Sequence, residues 1–484
     1  RLLQESALAE IANEDAHPRV RELARETVEL GADLPAIAAD IQRVTTELDS
    51  IEDQAKQIEN TLNVSRQRLA IGGVSQAIGR LFAEERRNLP QVAQYRQQVR
   101  ERRKTLSEIG LAQVRIEEER RALTPVTGRV EEIVAEIATD IGDEEDLEPI
   151  RTDVQRLLNA RRSVLNQMAS TYTTYLRALS DLDVAQRRLL DVAAEYKEFL
   201  DQNLLWIPNS SPVNTATITG LGPGIAWVLS PKSWADAVNE FVQSGQEHPV
   251  RTVLAVFLVG LALFVRRLLI KRNRAINQLV GRLSSDSILL TVQALGIAMV
   301  VALPLPLALF TIGWLLQQAP LTTEFTLAVA AGLLAVGPFL YNVRLFRILC
   351  SRNGVMHTHF DWGDKMLATI RRQLDFLIAV GVPLAFVAVL AYQSPDPATR
   401  DSLGRLAFIS VMVVLAMVFI GIANPRSGVA NNYYATHDTG WVSRLRWLWY
   451  ILTAGSPIVL AFLALLGFNY TAAILTGEVV DTIW

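Results

Sequence analysis

The stretch Val250–Arg274 reads VRTVLAVFLVGLALFVRRLLIKRNR. Thirteen residues, Val253 to Val265, carry no charge, and Arg266, Arg267, Lys271, Arg272 and Arg274 follow at once. An apolar run that stops at a cluster of Arg and Lys reads as a membrane crossing whose basic end stays in the cytoplasm. Before it lies about half of a 484-residue chain, charged and soluble in character. After it come further apolar runs. This crossing therefore decides which solvent each half meets.

The charge divides at the same place. Residues 1–205 hold 37 acidic and 28 basic side chains, a net of −9. From Val250 onward there are 10 acidic and 18 basic, a net of +8, and residues 206–249 carry the remaining −2. An acidic first half lacks the basic face that nucleic acid requires, so no nucleic-acid partner is expected.

In the first half, Ile37, Ile41, Val44, Leu48, Ile51, Ala55, Ile58 and Leu62 are spaced 4, 3, 4, 3, 4, 3, 4, a heptad seam that Gly72 and Gly73 end. A further helix is predicted from about Leu89 to Leu123, with Val92, Val99, Leu106 and Ile109 inward. A short helix follows at 129–140, then an acidic turn at Gly142–Glu148. The longest helix, about Pro149 to Leu205, carries the seam Ile150, Val154, Leu157, Val164, Met168, Tyr175, Leu182, Leu189, Val192, Tyr196 and Phe199, interrupted by Arg161 and Thr171. Such seams fit antiparallel packing within one chain or a coiled coil between chains. The domains expected are a helical coiled-coil domain at 1–205, a juxtamembrane linker at 206–248 and a transmembrane domain at 249–484. Pro208, Pro212, Gly220, Gly222, Pro223, Gly224 and Pro231 suggest the linker. Trp206, Trp227 and Trp234 suit a membrane–water interface.

Further spans are predicted at Ile288–Leu316, Phe325–Val343, Leu374–Tyr392, Leu406–Asn424 and Trp447–Phe468, each near the roughly 20 apolar residues a bilayer needs. That makes about six complete spans, and a seventh begins near Tyr470. The Pro304–Leu305–Pro306 run can split its span into two shorter pieces. Counted with Arg405 in the fourth loop, the loops at 266–282, 317–324, 344–372, 393–405 and 425–446 hold 6, 0, 6, 2 and 3 basic residues. Arg266, Arg267, Lys271, Arg272, Arg344, Arg347, Arg371 and Arg372 are the topology anchors. Basic loops in the cytoplasm put the first half outside it, in the periplasm of a Gram-negative cell. The fold class expected is all-α: an elongated periplasmic helical or coiled-coil array followed by a polytopic transmembrane helix domain.

Little in the chain points to catalysis. His357, His359, Asp361 and Asp364 form the one grouping with metal-like spacing, and they read better as a hydrogen-bonded loop than as a zinc site. Cys350 is the single cysteine and reads as a quiet thiol. There is no Walker loop, no HExxH and no GxSxG elbow. No enzyme activity, cofactor or metal is expected. Glu324, Arg371 and Asp375 fall at span edges, which argues against an ion-coupled transporter. The chain begins without Met and closes within an apolar segment, so it reads as a piece of a longer protein.

Three stretches carry a family resemblance. Glu198–Pro208, EFLDQNLLWIP, resembles the helix-to-membrane junction of the large MscS-like mechanosensitive channels, the MscK and MscM type. Gly467–Ala473, GFNYTAA, resembles a turn late in their added membrane domain, and Arg1–Ala24 is similar to part of their periplasmic domain. The resemblance implies a channel of the bacterial inner membrane, gated by bilayer tension and releasing solutes on osmotic downshock. It implies membrane lipids as partners and a homo-oligomeric ring, a heptamer by the family's pattern. Ions would pass only through a C-terminal pore module, which would lie past Trp484, so no pore residue is carried over. The alternative is a non-channel inner-membrane scaffold with a periplasmic coiled-coil arm for envelope assembly or secretion.

Overall fold

A computed structural model describes residues 17–90, 92–141, 147–277, 288–319, 322–352, 354–358, 360, 362–426, 429 and 444–483. The first sixteen residues, the acidic turn at 142–146, His359, Asp361 and the side chains of Val92, Arg272 and Arg274 lie outside that description. Among the described residues every regular element is a helix. The chain forms two units, Arg1–Gly73 with Glu84–Gln202, and Val74–Ala83 with Asn203–Trp484.

The first unit holds α1 (Pro18–Gly31), α2 (Leu34–Gly72), α4 (Val92–Ala122), α5 (Val126–Ile141) and most of α6 (Leu147–Leu204). A further helix, α3 (Gln76–Asn88), follows the Gly73 break; it has no counterpart in the expected helix from Leu89. Gly73 caps α2 at φ 59°, a left-handed conformation that favours glycine. The 58 residues of α6 extend about 87 Å at 1.5 Å per residue.

The α2 seam closes within the chain. Ile51 and Ala55 pack on Leu182, Ala185 and Leu189, and Ile37 packs on Tyr175 and Leu179 with Leu106 and Ile109 of α4 beside them. The pairing of α2 and α6 is parallel, not antiparallel: Arg188 bonds Glu59, and Arg66 bonds Glu195. The reason is connectivity. α4 runs back between them, as the Gln113–Thr173 and Arg161–Glu119 contacts show, so α2 and α6 share one direction. A second core gathers Val20 and Ala24, Ile116 and Leu123, Val130 to Ile137, and Val154 to Ala169.

Polar groups that interrupt the seam are paired. Arg161 reaches Glu26 at 2.7 Å and Glu119 at 3.7 Å. Buried Arg102 donates to Gln186 and to Glu47. Near the end of α6, Tyr196 is buried with Ser65 beside half-buried Glu85; its hydroxyl lies 2.9 Å from Ser65 Oγ and donates to the Glu85 carboxylate. Burial first, and then the Glu85 carboxylate, push this phenol well above its ordinary range.

The second unit carries the apolar helices. Five are long and apolar enough to cross a membrane: α10 (Pro249–Asn277, apolar through Lys271), α13 (Glu324–Leu349), α14 (Asp364–Tyr392), α15 (Pro397–Ala423) and α16 (Arg446–Leu466). The pair α11 (Ile288–Ala302) and α12 (Pro304–Gln317) bends by 45° and makes a sixth span if counted as one. Pro304 and Pro306 stand in the first turn of α12, where the missing N–H costs little but the helix before cannot continue straight. A last helix, α17 (Asn469–Ile483), follows α16.

Two spans contain π turns, at Leu377–Gly381 in α14 and Arg400–Gly404 in α15. The first comes just before Pro383, whose ring would clash with the carbonyl four residues back in a regular helix. α14 also begins ten residues ahead of the predicted Leu374, because Leu367, Ile370 and Leu374 bury one face of its polar first turns.

Residues 206–248 are not an open linker. They fold as α7 (Thr215–Thr219), α8 (Leu221–Val228) and α9 (Pro231–Glu247). The proline and glycine that suggest turns serve helices here. Pro231 opens α9 behind the Ser230 cap. Gly224 lets α8 approach Leu403, whose Cβ would lie 3.1 Å from any added methyl. Val228 and Ala237 join Leu316, Phe325, Ala328 and Leu390 in a core of the second unit.

Candidate functional site

In the second unit, the segment from Asn203 to Val213, which holds the end of the EFLDQNLLWIP stretch, meets GFNYTAA. α16 ends in a tight cap: Phe468 N–H donates to Leu463 O at 2.9 Å and Gly467 N–H to Ala464 O at 3.2 Å, with Gly467 at φ 101°. A Cβ at Gly467 would stand 2.1 Å from Ser210 O, so only glycine fits. The segment after α6 lies against this turn. Asn209 and Ser210 N–H both donate to Gly467 O, at 3.0 and 3.1 Å, and Val213 N–H to Leu465 O at 3.0 Å.

The rest of GFNYTAA holds the same segment. Asn469 Nδ2 donates to Ser210 Oγ at 2.9 Å, and Tyr470 N–H to Asn209 Oδ1 at 3.3 Å. Thr471 Oγ1 donates to Leu205 O at 3.0 Å, covering a carbonyl that the end of α6 leaves open. Gly79 of α3 packs from another side, its missing side chain leaving room for Pro208 O, which would lie 2.3 Å from a Cβ. Leu204, Ile207 and Ser210 are buried in this knot.

Arg405 is its centre. It is not the loop cation that its place before the Leu406 span suggests, but the first α-helical residue after a π turn, and it is 3% exposed. Its guanidinium donates from Nε to Ala464 O at 2.7 Å, from Nη2 to Leu465 O at 2.9 Å and from Nη1 to Ser211 O at 2.6 Å. A cation on the last carbonyls of α16 satisfies both the open acceptors and the negative end of the helix dipole. The planar fork suits three carbonyls on two segments. One turn earlier, Asp401 accepts from Ser210 Oγ at 2.7 Å. Start of α15, end of α16, and exit of α6 are thus joined by side-chain bonds. This arrangement holds three segments of the second unit together.

A second clamp sits at the α12–α13 turn. Both Glu240 carboxylate oxygens accept Thr323 N–H, at 3.1 and 3.2 Å, at the N-terminus of α13. Ser244 Oγ donates to Leu315 O of α12 at 3.1 Å. Trp227 and Trp234 both meet Phe325 edge-on, at 5.1 and 5.3 Å between ring centroids. The Trp234 indole N–H donates to Val228 O at 2.8 Å. Trp206, by contrast, is largely exposed.

The basic anchors occupy helix ends. Arg344 and Arg347 lie in the last turns of α13, and Arg371 and Arg372 in the early turns of α14. Arg347 pairs with Asp375, its Nη2 at 3.3 Å from Oδ2 and its Nε closer still. Arg371 donates to Cys350 O at 2.8 Å. Arg266, Arg267 and Lys271 stand on the last turns of the α10 span, and Arg344 feels the charges of Arg266 and Arg347. Cys350 is buried, and that burial pushes its thiol up to about 11. His357 lies 3.5 Å from Asp364, and no metal-holding group of three occurs among the described residues.

Comparison with known proteins bears on this geometry. Residues 250–484 match the family model described as "Mechanosensitive ion channel inner membrane domain 1". The chain is 26% identical over 341 residues to the Miniconductance mechanosensitive channel MscM of Escherichia coli (strain K12), covering 69% of this chain and 30% of that protein. It is 21% identical over 439 residues to the Mechanosensitive channel MscK of the same organism, covering 89% of this chain and 36% of that protein. The chain thus spans about a third of the length of these relatives. Both are named as channels, not enzymes. With its apolar helices, the chain is a multi-pass inner-membrane protein. Its membrane half matches the inner-membrane domain, and that match, with the likeness to MscM and MscK, supports its being an MscS-like mechanosensitive channel family member.

Proposed function

We propose that this chain is the periplasmic and tension-sensing membrane region of a mechanosensitive channel that releases solutes on osmotic downshock. The match of residues 250–484 to the inner-membrane domain carries the reading. The structure supplies a physical route. The α10 and α16 spans turn most of their apolar surface outward, toward lipid. The knot at Arg405 and Gly467 ties α15 and α16 to the segment that leaves α6. A change in the tilt of these spans as the bilayer thins would pull on that segment and bias a two-state gate. The parent channel is a homo-oligomer in lipid, and ions pass through a separate pore module. Residues 1–205 lie in the periplasm, as the basic ends of α10, α13 and α14 favour.

The test uses the gene product that carries this chain, expressed in cells lacking their own mechanosensitive channels. Survival of osmotic downshock is expected to rise over the empty vector. A cysteine replacing exposed Glu47 is expected to react with a membrane-impermeant thiol reagent in intact spheroplasts. No protection would sink the channel reading, and labelling only after lysis would sink the topology.

A further inference from the structure

Helix α9 presents three faces, and one of them is unaccounted for. At 100° per residue, Ala237, Glu240 and Ser244 fall on one side and are buried. Glu240 and Ser244 carry the bonds to Thr323 and Leu315, so these two polar groups of the helix point into the protein. A second face holds Lys232, Asn239, Gln243 and Gln246, all exposed and polar. The third holds Pro231, Trp234, Ala235, Val238 and Val242, all exposed and apolar. Val238 is 59% exposed and Val242 50%. In water that stripe is upside down: valines are bare while a carboxylate is buried.

The stripe does not stand alone. Ile225 and Leu229, just before α9, are also exposed. Beyond His248, the start of α10 continues with exposed Val250, Val253, Leu254 and Phe257, lining a shallow, wholly apolar hollow with Pro249. That surface belongs to a span, so lipid covers it. α9 also stands at the ends of spans. It bonds α12 near its last residue, Gln317, and α13 at its cap, Thr323, and it leads directly into the first residue of α10. The step from Glu240 to Ser244, about 6 Å along α9, carries it from one helix of that hairpin to the other.

We infer that α9 is an interfacial helix seated on the phospholipid bilayer, with Trp234, Val238 and Val242 in the acyl–headgroup boundary and Gln243 in water. A helix of this kind buries one apolar face in the leaflet and keeps the other wet. The leaflet is the one at the ends of α10 and α13 away from the Arg266–Lys271 cluster. The partner is the lipid surface itself, not a second protein. Through Glu240 and Ser244 the helix makes that leaflet a handle on the α12–α13 hairpin. This rests on residues 250–484 lying in a membrane and not on gating.

Nitroxide labels on Val238→Cys, Val242→Cys and Gln243→Cys test it, in the full chain reconstituted into phosphatidylethanolamine–phosphatidylglycerol vesicles. Cys350 stays in place, and protein without an added cysteine controls for its labelling. Collisions with oxygen are expected to exceed those with a nickel chelate several-fold at 238 and 242, and the order is expected to reverse at 243. Phe257→Cys gives the value for a lipid-facing span. Nickel dominance at 238 and 242 would overturn the proposal by placing the stripe in water. Labels there that are immobilised and shielded from both reagents would overturn it too, since a protein would then cover the face.

Discussion

Replacing Arg405 by Met should loosen the whole junction. Hydrogen bonds to a charged donor are worth about 1.5–3 kcal/mol each, so the three carbonyl bonds bound the loss at about 5–9 kcal/mol. The real loss is smaller. Leu465 O also accepts from Val213 N–H, and Ala464 O from Gly467 N–H, so both keep a partner. Among the described residues Ser211 O is left without a second donor. Removing a buried charge also relieves its own desolvation. A loss of about 3–5 kcal/mol is therefore expected. Arg405→Lys should recover only part of it, because an ammonium is a point charge and cannot fork across two segments. The assay is equilibrium unfolding of the full chain in mixed micelles with added SDS, followed by tryptophan fluorescence. The reasoning is refuted if Met stays within about 1 kcal/mol of the unchanged protein, the typical worth of one ordinary hydrogen bond, or if Lys equals Arg.

Gly467→Ala forces a side chain into a left-handed turn and against Ser210 O, and should cost at least about 2 kcal/mol; Gly477→Ala, with open space around it, should be neutral or slightly stabilising in the same unfolding assay. Tyr196 has a folded pKa raised above its unfolded value near 10, so its contribution is full below pH 10 and is lost as pH rises beyond it. Tyr196→Phe should flatten that alkaline decline, and an unchanged slope would disprove the assignment. Cys350, raised to about 11, should resist a thiol reagent at pH 8 in the folded chain and react on unfolding; ready labelling of folded protein would show the thiol to be accessible.

The parts of this fold that repeat were legible in the sequence. A seam spaced 4, 3, 4, 3 has few ways to be buried, and Ile51, Leu182 and Leu189 are found packed together. What stayed hidden depends on distant partners. The direction of α2 against α6 follows from the intervening return of α4, which spacing within either helix does not encode. The 206–248 segment misleads because Pro231 and Gly224 follow the rules for turns in isolation, while a helix start and a close approach to Leu403 use the same residues. α3 escapes notice because Ile78, Leu81 and Phe82 are too short a pattern to stand out after two glycines. Arg405 is the instructive miss. Its neighbours are span-edge residues, and its acceptors lie 59, 60 and 194 positions away. The one signal available was a lone Arg at the start of an otherwise apolar run, two spans before GFNYTAA, and that signal also describes an ordinary interfacial anchor.

The proposed role of the spans is most directly open to patch recording of the gene product that carries this chain, in membranes without other mechanosensitive channels. Phe257 on α10 and Phe462 on α16 face outward, 61% and 57% exposed, so asparagine there changes how the spans meet lipid. If these helices sense tension around a pore that lies elsewhere, Phe257→Asn and Phe462→Asn shift the opening tension and leave single-channel conductance unchanged. A conductance altered at an unmoved opening tension, or neither quantity altered, would contradict it.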